Sequence, residues 1–138
     1  MIFVPFSPLA RSFLTGESQD ITNRPDDDIR ATIARPRFEP ENFARNVKLL
    51  APFKDIAQEQ GCSMAQLALA WILARADGAM IPIPGTRSMD HMQDNAGAGD
   101  IQLDSATVSA LDELINEGTV AGDRYSERIM ASIDSEKD

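Results

Sequence analysis

The residues best placed for chemistry lie in 81–98, Ile-Pro-Ile-Pro-Gly-Thr-Arg-Ser-Met-Asp-His-Met-Gln-Asp-Asn-Ala-Gly-Ala. A short apolar run ends on Pro84-Gly85, a basic turn carries Arg87, and a short helix follows with Asp94 and Asn95 on its C-terminal half. A strand, turn and helix start of this kind presents free backbone N–H groups and a positive dipole end to an anion. The guanidinium of Arg87 adds a planar fork suited to phosphate. On these residues alone the alternative is an ordinary strand-to-helix loop with a solvated Arg.

The elements that must position this stretch can be read from pattern. Residues 2–6, rich in β-branched and aromatic side chains, read as a strand, and 79–83 as a second. Pro82 cannot donate to a ladder, so the second strand should be short or paired on one side only. Residues 16–40 are polar, carry Asp26-Asp27-Asp28 with Pro25, Pro36 and Pro40, and read as a long surface loop. Three consecutive carboxylates without a turn glycine or a spaced bidentate partner are usually solvated, so no metal site is expected there.

A helix begins at Glu41, with Phe43, Val47 and Leu50 at helical spacing, and Pro52 should kink or restart it. Gly61 suits the position just past the end of that helix. Ser63 and Gln66 form a capping box for a helix over 64–75. This helix is apolar on nearly all sides, so it expects burial on most faces. Ser88 caps a helix over 89–96, with Met89, Met92 and Ala96 expected inward. Val108, Leu111, Leu114 and Ile115 make the stripe of a last helix that starts at Asp104 and ends at Gly118. Residues 119–138 read as a polar, loosely held tail apart from whatever Arg124 and Tyr125 touch.

Composition bounds the partners. A net charge of −9 and a pI near 4.5 argue against nucleic acid and anionic membrane surfaces. At 43% hydrophobic residues the 138-residue chain can build a core, and it reads as one domain over 1–138. The one cysteine, Cys62, excludes an internal disulfide and suits a reducing, cytoplasmic setting. The opening apolar residues are too few for a signal or membrane segment. No G-x-G-x-x-G or P-loop pattern supports a Rossmann or NTPase reading.

Several segments, in order, resemble the aldo-keto reductases. They are Phe3-Val4-Pro5-Phe6-Ser7-Pro8-Leu9-Ala10-Arg11-Ser12-Phe13-Leu14-Thr15-Gly16, Pro36-Arg37-Phe38, Glu41-Asn42-Phe43-Ala44-Arg45-Asn46, Gln66-Leu67-Ala68-Leu69-Ala70-Trp71, the stretch 81–98, and Gly122-Asp123-Arg124-Tyr125. The resemblance implies an α/β fold, a partial TIM barrel comprising the last two β/α units and the C-terminal helices, dominated by helix. It implies NADP(H) as cofactor. Phe6 would lie beside the nicotinamide, while Ser7, Pro8, Leu9, Ala10 and Arg11 would follow the pyrophosphate, chiefly through backbone N–H groups. Gly85, Thr86 and Arg87 would meet the adenosine 2′-phosphate, the extra phosphate that favours NADP over NAD near a cation. His91 would lie against the adenine, and Asp94 and Asn95 would read its amino group. Phe6 as a packed strand residue and His91 as a surface residue are the plainer alternatives. The family more often has glycine where Ala10 and Ser12 stand, and Ser12 narrows the backbone choices there.

The same resemblance marks what is missing. Such barrels run to about 250 residues, and the family's Asp, Tyr, Lys and His tetrad comes from its first four strands. Here Tyr125 and His91 are the only Tyr and His, and Lys48, Lys54 and Lys137 sit in surface-type contexts. No catalytic residue can be assigned. The expectation is a truncated piece of an NADP(H)-dependent carbonyl reductase that keeps much of the cofactor site. A small carbonyl substrate would belong to the complete enzyme alone. A non-catalytic nucleotide-binding module, or a structural remnant that persists as a homo-oligomer, is the alternative.

Overall fold

The computed structural model describes residues 2–17, 24–75 and 79–133, and within them the chain is helix-rich. Six α-helices follow one another: α1 (Pro40–Asn46), α2 (Leu50–Glu59), α3 (Met64–Ala74), α4 (Met89–Gly97), α5 (Ser105–Leu114) and α6 (Glu127–Met130). The two expected strands are reduced to a single parallel bridge between Phe3 and Met80. Phe3 N–H donates to Ala79 O at 2.8 Å, and Ile81 N–H donates to Phe3 O at 3.0 Å. In that register the next donor on the first segment is residue 5, a proline without an N–H. The ladder therefore stops after one rung at Pro5, while Pro82 and Pro84 remove donors from the opposite edge of the second segment.

Between α1 and α2 the chain tightens into a 3-10 turn at Val47–Leu49, and α2 restarts with Pro52 in its first turn, where a missing N–H costs little. Gly61, at φ +66°, closes α2: Cys62 N–H donates to Ala57 O and Gly61 N–H to Gln58 O, the paired bonds of a Schellman end. The capping box of α3 forms as expected. Ser63 Oγ accepts from Gln66 N–H at 3.0 Å, and Gln66 Oε1 accepts from Ser63 N–H at 3.1 Å.

Phe53, Leu67 and Leu111, from α2, α3 and α5, are wholly enclosed and meet Leu14, Leu50, Ala57 and Ala68 in one core. The apolar surround of α3 is consumed unevenly: Leu67, Ala68, Leu69 and Ala70 are buried, while Trp71, Ile72 and Leu73 are half-buried. Trp71 Nε1 donates to Asp112 Oδ1 at 2.8 Å, which fastens α3 to α5.

Four expectations need correction. On α4, Met89, Met92 and Ala96 face outward, because α4 docks on α3 through Asp94 and Gly97. A Cβ at Gly97 would lie 2.7 Å from Gln66 Nε2, so a larger residue there would displace the amide that donates to Asp94 O. The end of α5 is set by Asn116, whose side-chain amide donates to Asp112 O and Glu113 O, rather than by Gly118. The loop expected over 16–40 is structured after Arg24. Ala34 is buried, Arg35–Phe38 form a 3-10 turn, and Phe38 joins Phe13 and Phe43 in an aromatic cluster. Residues 18–23 of that loop lie outside the described residues. Finally, the tail expected to be loose from 119 is tied down. Asn46, only 3% exposed, accepts from Ala121 N–H at 2.7 Å and donates to Ala121 O at 2.9 Å. Ser126 N–H donates to Ile33 O, and Tyr125 is buried. Residues 134–138, the end of that tail, lie outside the described residues.

Candidate functional site

Immediately after the bridge, the segment from Ser7 to Ser12 turns on itself. Ser7, Ala10, Arg11 and Ser12 have φ of 51°, 49°, 58° and 65°, all in the left-handed region. None of them is glycine, and each such residue costs about 1–2 kcal/mol. Local bonds hold the turn: Ala10 N–H donates to Ser7 O, Phe13 N–H to Ala10 O, and Leu14 N–H to Leu9 O. Leu14, buried in the core, anchors its far end. Consecutive left-handed residues point several N–H groups to one side, a geometry suited to oxyanions.

The second loop is organised by Ser88. Its N–H donates to Thr86 Oγ1 at 3.1 Å, and its Oγ accepts from His91 N–H at 3.3 Å, so one residue closes the turn and caps α4. Arg87, between Thr86 and Ser88, is exposed, and none of the described ion pairs uses it. His91 Nε2 lies 3.7 Å from Glu17 Oε1, with both side chains more than half exposed, so the contact contributes little. Asp94 is committed to packing: its Oδ2 accepts from Ser63 Oγ at 2.6 Å, and its backbone O accepts from Gln66 Nε2 at 3.0 Å.

The two loops meet. Leu9 and Ser12 from the first, and Gly85, Thr86, His91, Asp94 and Asn95 from the second, line one cleft of about 120 Å3 over the start of α3. Arg87 stands outside this lining. Phe6, Ser7, Ala10 and Arg11 line a different cleft of about 310 Å3 against Arg37, Arg124 and Tyr125. Pro8 is buried beneath the turn. Ten of the twelve residues singled out in the sequence thus divide between two neighbouring clefts rather than one groove, and Pro8 and Arg87 line neither. Phe6 is 61% exposed, so the packed-core alternative for it fails.

Three further groups bear on chemistry. Tyr125 lies under the Arg11 guanidinium, 4.9 Å from ring centroid to Cζ, and is buried in that contact. Burial, with the nearby Asp94 carboxylate, pushes the Cys62 thiol up, away from the thiolate a nucleophile needs. In the acidic run, Asp28 forms a forked pair with Arg30 at 2.6 Å, which holds its carboxyl down at about 2. The roles of Arg37 and Asn46 were not legible in advance. Arg37 Nε donates to Gly122 O at 3.2 Å, 85 residues further along the chain, and no local spacing signals that.

Among the described residues no helix is long and apolar enough to cross a membrane. The Aldo/keto reductase family is matched over residues 1–116. The chain is 37% identical over 122 residues to the aldo-keto reductase yakc [NADP(+)] of Schizosaccharomyces pombe, covering 88% of this chain and 35% of that protein. It is 35% identical over 132 residues to the aldo-keto reductase str7 of Strobilurus tenacellus, covering 96% of this chain and 38% of that protein. Among solved structures, the glycerol dehydrogenase AKR11B4 from Gluconobacter oxydans superposes with a TM-score of 0.68 at 26% identity, over 82% of this chain and 33% of that one. The chain therefore spans about a third of the length of these relatives. On the family match and these identities, the chain belongs to the aldo/keto reductase family.

Proposed function

We propose that this chain is the cofactor-binding C-terminal part of an NADP(H)-dependent carbonyl reductase, built from the last two β/α units of a barrel. The observation that carries the reading is the shared cleft, in which Leu9 and Ser12 of the left-handed turn face Gly85, Thr86, His91, Asp94 and Asn95. An anion-favouring turn and a capped helix start converge there, with Arg87 at the rim of the second loop. The residues fit a phosphorylated nucleotide in kind: N–H groups and a guanidinium for phosphate, and an amide for the adenine edge.

The cleft is small for the task. Sites for small molecules and cofactors run to about 300–1,000 Å3, so this one would take only part of a dinucleotide. Asp94 is already engaged by Ser63, leaving Asn95 as the stronger candidate for the adenine edge. Glu17, on the same lining, opposes a phosphate. Binding by the chain alone is accordingly weak. When bound, the cofactor supplies hydride to a carbonyl carbon in the complete enzyme. This chain's part is to hold the nucleotide, with Phe6 offering an aromatic face to the nicotinamide. Proton donation to the carbonyl needs a group within hydrogen-bond reach. Tyr125, buried against Arg11, is not such a group.

A second reading has its own observation. Ile2, Phe3, Val4, Phe6, Ile81 and Ile83 are all at least half exposed along the bridged segments. Apolar area of this kind favours association at roughly 25 cal/mol per Å2. We take the chain by itself to be a homo-oligomer through that face. Titration of NADPH fluorescence against the chain tests the primary reading. Saturable binding is expected, and the absence of any at millimolar chain would overturn it. Aldehyde reduction by the chain alone should be undetectable; turnover abolished by Tyr125→Phe would contradict the division of labour.

A further inference from the structure

We infer that Glu17 determines how far the second loop discriminates between NADP(H) and NAD(H), by opposing the adenosine 2′-phosphate and so narrowing the preference that Arg87 sets. The inference rests on the assignment of Gly85, Thr86 and Arg87 to that phosphate. Glu17 lines the same cleft of about 120 Å3 as Gly85 and Thr86, so a phosphate held by those two residues comes to lie beside its carboxylate.

The charge in that cleft has the wrong sign for a phosphate. The carboxylates of Glu17 and Asp94 line it, and among the described residues no Lys or Arg does. The two carboxylates differ in what they are free to do. Asp94 is turned to packing, with its Oδ2 accepting from the Ser63 hydroxyl at 2.6 Å. Glu17 has one ion pair among the described residues, to His91 at 3.7 Å, with the two side chains 64% and 56% exposed. A contact that long and that wet cancels little of the carboxylate's field.

The backbone, rather than the ion pair, delivers Glu17 to this position. Thr15 Oγ1 donates to Ser12 O at 2.9 Å and accepts from Glu17 N–H at 3.3 Å, which joins the end of the left-handed turn to Glu17. Gly16, between them, sits at φ +76°, and a Cβ there would lie 3.0 Å from Met64 Sδ. The segment thus passes close to the start of α3, where Met64 lines the cleft as well.

A carboxylate treats the two cofactors differently. The ribose 2′-hydroxyl of NAD(H) is a donor that a carboxylate accepts, as acidic residues do in other dinucleotide sites. The 2′-phosphate of NADP(H) carries about two negative charges at neutral pH and meets repulsion instead. Arg87 at the rim supplies the attraction and Glu17 subtracts from it. The preference for NADP(H) is the difference between the two, so this chain accepts NAD(H) more readily than Arg87 alone would allow.

The test is calorimetric titration of NADP+ and of NAD+ against the full chain, Glu17→Gln and Glu17→Lys, with near-ultraviolet dichroism confirming the fold of each. Glu17→Gln should tighten NADP+ about fivefold and leave NAD+ within about twofold, because the amide keeps an acceptor and loses the charge. Glu17→Lys should widen the preference further. An NADP+ affinity unchanged in both variants overturns the proposal. So does equal strengthening of NADP+ and NAD+, which would put Glu17 beside the pyrophosphate common to both. Absence of saturable binding of either cofactor to any of these proteins removes the cofactor reading and this inference with it. Binding whose NADP+ to NAD+ ratio stays unaltered removes only the role of Glu17.

Discussion

The Ser63 hydroxyl donates to Asp94 Oδ2 at 2.6 Å, so the residue that caps α3 also holds the helix that follows the second loop. One hydroxyl therefore works twice, accepting from Gln66 N–H and donating to Asp94. Removing it breaks the cap and unpairs a carboxylate together. Ser63→Ala should destabilise the chain by about 2 kcal/mol, the sum of a lost cap and a lost charge-assisted bond. The urea midpoint reports this, and an unchanged midpoint would show that α4 is held by other contacts.

Asn46 is the second keystone. Its side chain satisfies both backbone groups of Ala121, and it also donates to Arg37 O at 3.3 Å. Asn46→Ala leaves a buried N–H and C=O without partners, at about 1–3 kcal/mol each. We expect a marked fall in stability together with amide exchange that accelerates at Ala121 and Tyr125. Exchange that stays slow there would mean that the tail is held independently of Asn46.

The strained turn predicts a gain. Ser12 adopts φ 65°, where glycine carries no steric penalty. Ser12→Gly should relieve about 1–2 kcal/mol of strain, less about 0.5–1 kcal/mol for the freer unfolded chain. A small net stabilisation in thermal unfolding is the expected result, and a loss would show that the left-handed turn is not strained.

Asp28 gives a pH signature. Its carboxyl falls from 3.8 to about 2, chiefly through the side-chain hydrogen bond from Arg30. A depressed carboxyl contributes stability above its unfolded pKa, and that contribution is lost as pH falls toward the folded value. The Asp28 share of stability should therefore be full above about pH 4 and decline down to about pH 2. Asp28→Asn should flatten the acid limb of a stability–pH curve in that window. An unaltered limb would count against the Asp28–Arg30 pair.

How far the sequence spoke depended on whether a signal was local. The capping box at Ser63 and Gln66, the Gly61 helix end and the Ser88 cap were all legible, because each is a contact among residues a few positions apart. The strands were over-read: β-branched and aromatic residues at 2–6 signalled extension, but Pro5 removes the donor that a second rung requires. Met89 and Met92 were misplaced because helical spacing defines a stripe without saying which neighbour it meets. Here Asp94 and Gly97 meet α3 instead. The tail was misjudged for a related reason. Nothing near Ala121 announces that Asn46, far off in the chain, will hold it. For the candidate site, the two loops were legible as motifs, while their division between two clefts emerges only from packing.

The central claim is that the second loop recognises the phosphate peculiar to NADP(H). Calorimetric titration of NADP+ and NAD+ against the chain and against Arg87→Ala tests it most directly. NADP+ should bind more tightly than NAD+, and Arg87→Ala should remove most of that preference, about 1.5–3 kcal/mol for a charge-assisted contact. Equal affinities for the two cofactors, or a preference that survives in Arg87→Ala, would contradict it.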